Sequence, residues 1–161
     1  MAMERDRSLA TIGWRERVDL PEWGFRGVKA KIDTGARTSA IDVAAVEEQP
    51  DGLLRFEVVS RLRPTRRTRW VTAEPARTSV VKPSHGAAQE RHVCVTRIRI
   101  GEHELDIELS LVCRAGMLCR MLIGRTALAD RFVVDPARTY LLTTPPGVAA
   151  AGDDQAGEAR T

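Results

Sequence analysis

Asp33-Thr34-Gly35 carries, in order, the residue types needed to hydrolyse an amide with water and no metal. That chemistry places two carboxyl groups about 3 Å apart so that they share one proton; the charged member activates water and the protonated one polarises the carbonyl. The apparent pKa values then belong to the pair. The carboxylate must project from the end of a strand. A small hydroxyl residue after it can tie two loops together, and a glycine lets the backbone approach a symmetry mate and a substrate. Asp33 ends the alternation Val28, Ala30, Ile32 and is followed by Thr34 and Gly35. A strand-ending turn also favours Asp and Gly, so the tripeptide by itself leaves both readings open.

The elements that must position this loop have a period of two rather than 3.6. Ile12, Trp14, Val18 and Leu20 alternate with polar neighbours, as do Leu54, Phe56 and Val58. In HVCVTRIRIGEHELDIELSLV two alternating runs meet at Gly101-Glu102, a two-residue hairpin signal. One helical piece, GRTALADRF, follows the apolar run Met121-Leu122-Ile123, and a last short strand is expected over Thr139–Leu142. The segment from Arg61 to Arg91 reads as a long hairpin: a weak strand Ser79–Val81, a tip in KPSHGAAQER, then the next strand. Many short strands and one late helix predict an all-β fold, a small closed barrel. Residues 1–9 are expected to be a mobile leader, 10–142 the folded domain, and the Pro-, Gly-, Ala- and acid-rich 143–161 a disordered tail.

At 161 residues the chain can bury one ordinary core. No run of about 18 apolar residues predicts a membrane span, and the charged beginning lacks an apolar signal segment, so a cytoplasmic location is expected. Three cysteines, Cys94, Cys113 and Cys119, cannot all pair, which predicts reduced and mostly buried thiols. The net charge of +3 comes from 22 Arg and three Lys against 22 acids. Arg forks suit carboxylate and phosphate partners, although an Arg-favouring composition explains the excess equally well.

A second segment raises the odds for Asp33. RMLIGRTAL is an apolar strand ending in Gly124, then Arg125 opening a helix. The order of strand, Asp-Thr-Gly-Ala loop, hairpin, Gly-Arg helix and closing strand resembles that of retropepsins. AKIDTGARTSAI, VKPSHG…ERHVCV and LIGRTAL…FVVDPAR together resemble a bacterial retropepsin-like aspartic peptidase family that carries the label ATP-dependent zinc protease. That family is associated with a RimK-type ligase that adds glutamates to a ribosomal protein. The resemblance spans roughly residues 10–142 and implies a retropepsin-like barrel. It implies that Asp33 is the catalytic aspartate and that Thr34, Gly35, Ala36, Ser39, Gly124 and Arg125 support its loop. Arg37, His85, Gly86 and Arg91 are the substrate-binding candidates, with the hairpin 78–95 closing over an extended peptide. Because the chain has one Asp-Thr-Gly, the second aspartate would come from another copy in a twofold homodimer; a monomer drawing on Asp42 is the alternative.

Two departures from the family pattern stand out. Arg37 occupies a place where viral relatives carry an acid, which leaves Arg125 to find a partner such as Asp42 or Asp135. Asp42 stands where nearer relatives often have His. An Arg beside the cleft favours an acidic, glutamate-rich peptide. Neither half of the label finds support in the residues: His85, His92, His103 and the cysteines show no zinc-binding spacing, and no Walker A pattern occurs. The expectation is therefore a peptidase with no metal or other cofactor. Cys94, on the face of Ile98 and Ile100, is expected in the core, and His92 and His103 at surface strand positions. The cluster Arg61, Arg63, Arg66, Arg67 and Arg69 is read as a solvated loop or as a patch for phosphate or glutamate. Trp14 and Trp23 are expected in the core or at a dimer contact, so a stacking platform for nucleic acid is poorly supported. The rival reading is a catalytically silent Arg-rich barrel that binds an acidic protein or nucleic acid.

Overall fold

The computed structural model describes residues 8–81, 86–87 and 89–147, and the following statements concern those. The elements are β1 (Ala10–Gly13), β2 (Arg15–Leu20), β3 (Phe25–Asp33), β4 (Ser39–Glu48), β5 (Leu54–Arg61), β6 (Arg67–Ala73), β7 (Arg77–Val81), β8 (Gln89–Ile100), β9 (His103–Val112), β10 (Met121–Gly124), α1 (Arg125–Leu128) and β11 (Phe132–Asp135). Strands β10, β3, β2, β8, β9 and β4 close into a ring of six, because β10 pairs in parallel with β3 and antiparallel with β4. β5 and β6 extend outward from β4, β7 pairs with β8, and β1 with β11 makes a separate two-stranded parallel sheet. This is the closed all-β barrel with one short helix that the period-two pattern calls for.

Alternation fills the interior. Val18 and Leu20 of β2, Val28 and Ala30 of β3, Ile98 and Ile100 of β8, and Met121 and Ile123 of β10 are all buried. Cys94 joins them in the core. Trp23 packs edge-on against Phe56, with ring centroids 5.1 Å apart, whereas Trp14 is half-buried. Gly101 takes φ of +61° in the β8–β9 turn, the left-handed region that the first central position of a tight hairpin requires.

Four local expectations change, and one further strand departs from simple alternation. The run through Ile12 and Leu20 is two strands in two sheets, broken at Trp14, whose N–H donates to Arg138 O (2.9 Å). The helix is one turn, since Asp130 adopts φ of +66° and Phe132 opens β11. No strand forms over Thr139–Leu142. The N–H groups of Leu141 (3.0 Å), Leu142 (3.1 Å) and Thr143 (3.0 Å) instead donate to the buried Glu16 carboxylate, which also accepts from Gly13 N–H (2.8 Å). Strand β4 escapes the alternation rule because Ile41, Asp42 and Val43 are all buried, with a register shift just beyond them. The Arg61–Arg69 cluster is not wholly a loop: it is a hairpin in which Arg61 faces Arg67 and strand β6 carries Arg67 and Arg69. Among the described residues, no helix is long and apolar enough to cross a membrane.

Candidate active site

Asp33 is the last residue of β3, where β10 runs alongside in parallel and sets Gly124 opposite it. Beyond Asp33 the chain turns sharply. The Gly35 N–H donates to Asp33 Oδ1 (2.9 Å) and the Ala36 N–H to the Asp33 carbonyl (3.2 Å). This is the local Asp-to-backbone turn that Asp followed by Gly favours. It uses one carboxylate oxygen; among the described residues Oδ2 has no hydrogen-bond partner. Asp33 is half-buried, while Thr34 and Gly35 are exposed.

The loop is fastened from behind by the segment that follows β10. Arg125 N–H donates to Ala36 O (2.8 Å), and Thr126 donates to Arg37 O through both its N–H (3.2 Å) and its hydroxyl (2.9 Å). The buried Ser39 hydroxyl accepts from Gly124 N–H (3.0 Å). A Cβ on Gly124 would lie 2.6 Å from Thr38 O and 2.9 Å from Ala36 O, so only glycine allows the two segments this close. Asp33, Thr34, Gly35, Ala36, Arg37, Ser39, Gly124 and Arg125 thus gather in one place. Gly86 and Arg91 belong to the β7–β8 hairpin, with Arg91 half-buried on β8 and Gly86 exposed at φ of +105°. Neither makes a described hydrogen bond to the loop. His85 lies outside the described residues.

Arg125 does not pair with either carboxylate anticipated for it. Its guanidinium donates to Thr34 O (3.4 Å). Asp135 accepts from Ala137 N–H (2.9 Å) and sits 3.8 Å from Arg138. Asp42 is buried on β4, in an ion pair with the buried Arg120, and accepts Arg114 N–H (2.7 Å). Arg120 in turn donates to Arg114 O (3.2 Å) and to Met117 O. Burial pushes the Arg114 guanidinium below its usual range, Arg120 adds to that, and Cys119, Asp42 and Asp33 oppose it. Sequence reasoning missed the Asp42–Arg114–Arg120 cluster, which joins a β4 carboxylate to two residues of the β9–β10 connection more than 70 positions along the chain.

Beside the loop lies an open hollow of about 650 Å³ lined by Arg37, Thr38, Arg77, Glu108 and Thr126. Arg77 grips Glu108 with two donors (2.7 and 3.1 Å). That hydrogen bond holds the Glu108 carboxyl below its ordinary range, and Arg37 contributes in the same direction. A second hollow of about 500 Å³, lined by Thr34, Arg125, Leu128, Phe132 and Val134, opens on the other flank. Among the described residues no three His, Cys, Asp or Glu side chains gather as ligands for a metal ion. His92 is half-buried 3.6 Å from Glu48, and His103 stacks edge-on against Phe132 at 5.2 Å.

Comparison with known proteins agrees with this geometry. Residues 11–145 match the RimB-like family, retropepsin-like aspartic endopeptidase RimB. The chain is 37% identical over 139 residues to a probable alpha-L-glutamate ligase of Desulfotalea psychrophila, which covers 84% of this chain and 30% of the ligase. It is 30% identical over 138 residues to a ligase of the same name in Shewanella halifaxensis, covering 81% of this chain and 29% of that one. The chain therefore spans about a third of the length of these relatives. A crystal structure of a Legionella pneumophila protein of unknown function superposes with a TM-score of 0.69 at 27% identity, over 84% of this chain and all of the other. With the loop, the Gly-Arg brace and the barrel matched together, the chain belongs to the RimB-like family of retropepsin-like aspartic endopeptidases.

Proposed function

We propose that the protein is an aspartic endopeptidase that works as a homodimer and cleaves acidic, glutamate-rich peptides. The observation that carries this reading is the Asp33 carboxylate, braced through Oδ1 by Gly35 N–H and left with Oδ2 unpartnered among the described residues. Asp42, the only other acid considered for the pair, is committed to Arg120 inside the barrel. A second Asp33 must then come from a second copy. The hollow beside Thr34, with its apolar Leu128, Phe132 and Val134 walls, offers a place for the partner's loop. In the dimer one Asp33 takes a proton from water as the water attacks the peptide carbonyl. The other gives its proton to the carbonyl oxygen, and the resulting tetrahedral species collapses as the leaving nitrogen is protonated.

The acidic substrate is supported by the excess of Arg and by Arg37 beside the cleft. It is also supported by the relatives, which are named probable alpha-L-glutamate ligases and of which this chain matches about 30%. The test is hydrolysis of an oligoglutamate peptide by the wild type and by Asp33→Asn. The proposal expects turnover that disappears with the substitution and resists chelators. Undiminished turnover by Asp33→Asn contradicts it.

A further inference from the structure

On the outer face of the β2–β3 hairpin two pairs of cations stand directly opposite each other: Arg15 faces Lys31, and Arg17 faces Lys29. Like charges opposed across strands have Cβ atoms about 5 Å apart and destabilise the pairing. Among the described residues no carboxylate pairs with any of the four. The next acid on this face, Asp19, is already used by Arg99 (3.3 Å) and by Gly27 N–H (2.7 Å). Arg15 also carries a buried Nε that lacks a hydrogen-bond partner, while its guanidinium lies 4.8 Å over the Trp14 ring.

The ladder has two ends. By the alternation of β3, Lys29, Lys31 and Asp33 share one face, so the cationic pairs lead to the candidate catalytic carboxylate over about 13 Å at the usual strand rise. At the other end Arg17 and Lys29 line a cavity of about 650 Å³ together with Arg26, Arg61, Arg63 and Arg67. Among the described residues no Asp or Glu lines it. Among the described residues Arg61 reaches the neutral Thr65 carbonyl (3.1 Å) and no carboxylate.

We infer that this ladder and cleft form a track that binds an acidic peptide in extended form and delivers it to Asp33. Side chains two residues apart on one face of an extended peptide repeat about every 6.8 Å, which is the repeat of the ladder itself. Arg forks and Lys ammonium groups match side-chain carboxylates. A nucleic-acid strand fits less well, because single-strand binding relies on exposed aromatic faces. Here the Trp70 ring, the exposed aromatic of the neighbouring β6, is covered by the Arg55 guanidinium at 4.0 Å. The track rests on the peptidase reading for what happens at its end, but not for binding.

The Asp33→Asn protein separates the two. Its affinity for a fluorescent octaglutamate is measured by anisotropy, with octaglutamine and a single-stranded RNA octamer as competitors. The track predicts tight, salt-sensitive binding of octaglutamate and no competition from octaglutamine. It predicts at least a tenfold loss in Lys29→Gln/Lys31→Gln and a smaller loss in Arg61→Gln/Arg63→Gln, with melting temperatures no lower than that of the wild type. Undiminished affinity in both double variants overturns the track, as does equal binding of octaglutamine or stronger competition from RNA than from unlabelled octaglutamate. Should wild-type protein bind octaglutamate through these lysines yet never cleave it, the track stands and the peptidase reading fails.

Discussion

Two aspartates only nine positions apart have opposite fates. Asp33 ends a strand, half-buried, with one oxygen tied to its own turn and the other without a described partner. Asp42 lies inside the barrel, locked to Arg120 and to the Arg114 N–H. The difference lies in what each costs if left alone. A carboxylate at a loop can stay hydrated until a substrate or second copy arrives, whereas one in the interior must be paired where it stands. Availability, rather than residue type, distinguishes a candidate catalytic acid from a structural one.

Substitutions can break this contrast, and the largest effect falls on Asp33. Asp33→Asn keeps an acceptor for Gly35 N–H but removes the acid–base function, so peptide turnover drops by about 10²–10⁴-fold or more. Its thermal midpoint stays within about 2 °C of wild type. Asp42→Asn does the reverse. Breaking a buried ion pair costs about 3–5 kcal/mol, a fall in melting temperature of roughly 10 °C. The double variant Asp42→Leu/Arg120→Met recovers part of that loss. Recovery is incomplete because Arg120 also serves the carbonyls of Arg114 and Met117. Equal stability for Asp33→Asn and Asp42→Asn, seen by thermal melting, would erase the distinction.

Smaller effects sharpen it. Gly124→Ala inserts a methyl group against Thr38 O and Ala36 O, costing about 1–3 kcal/mol and displacing the Asp33 loop, so activity falls more steeply than stability. Cysteine labelling reads the same inside–outside logic. Cys113 is exposed, Cys94 and Cys119 are buried, and burial pushes the Cys94 thiol up to about 11. One thiol should react in the native protein, and all three after denaturation. The smallest effect is at Glu108. Its folded carboxyl titrates below the ordinary value because of Arg77, so its contribution is complete above about pH 4.3 and is lost as the pH falls through the lowered folded value. The stability gap between wild type and Glu108→Gln, followed by melting across the acid range, should therefore close on acidification.

The site was more legible in the sequence than the interior that holds it. Asp33-Thr34-Gly35 and Gly124-Arg125 are local signals in which each residue type answers a local demand of turn, close approach or brace. The β8–β9 hairpin was legible for the same reason, through Gly101 and two clean alternations. The Asp42–Arg120 pair and the buried Glu16 were not, because a charged residue in a strand reads as solvent-facing until its distant partner is known. Strand β6 hid behind Arg67 and Arg69, since an edge strand with exposed faces lacks an apolar alternation. β11 hid because Phe132-Val133-Val134 continues the helical phrase that Asp130 interrupts. Thr139–Leu142 fails as a strand because its neighbouring N–H groups go to a carboxylate rather than to a ladder.

The central claim, that Asp33 works only when two copies supply it, is tested most directly by specific activity against protein concentration, with sedimentation run on the same samples. The account predicts that oligoglutamate hydrolysis per mole of chain rises with the dimer fraction and levels off where dimerisation is complete. It also predicts that excess Asp33→Asn chain suppresses the wild type by forming mixed dimers. Constant specific activity in samples that sediment as monomer contradicts it.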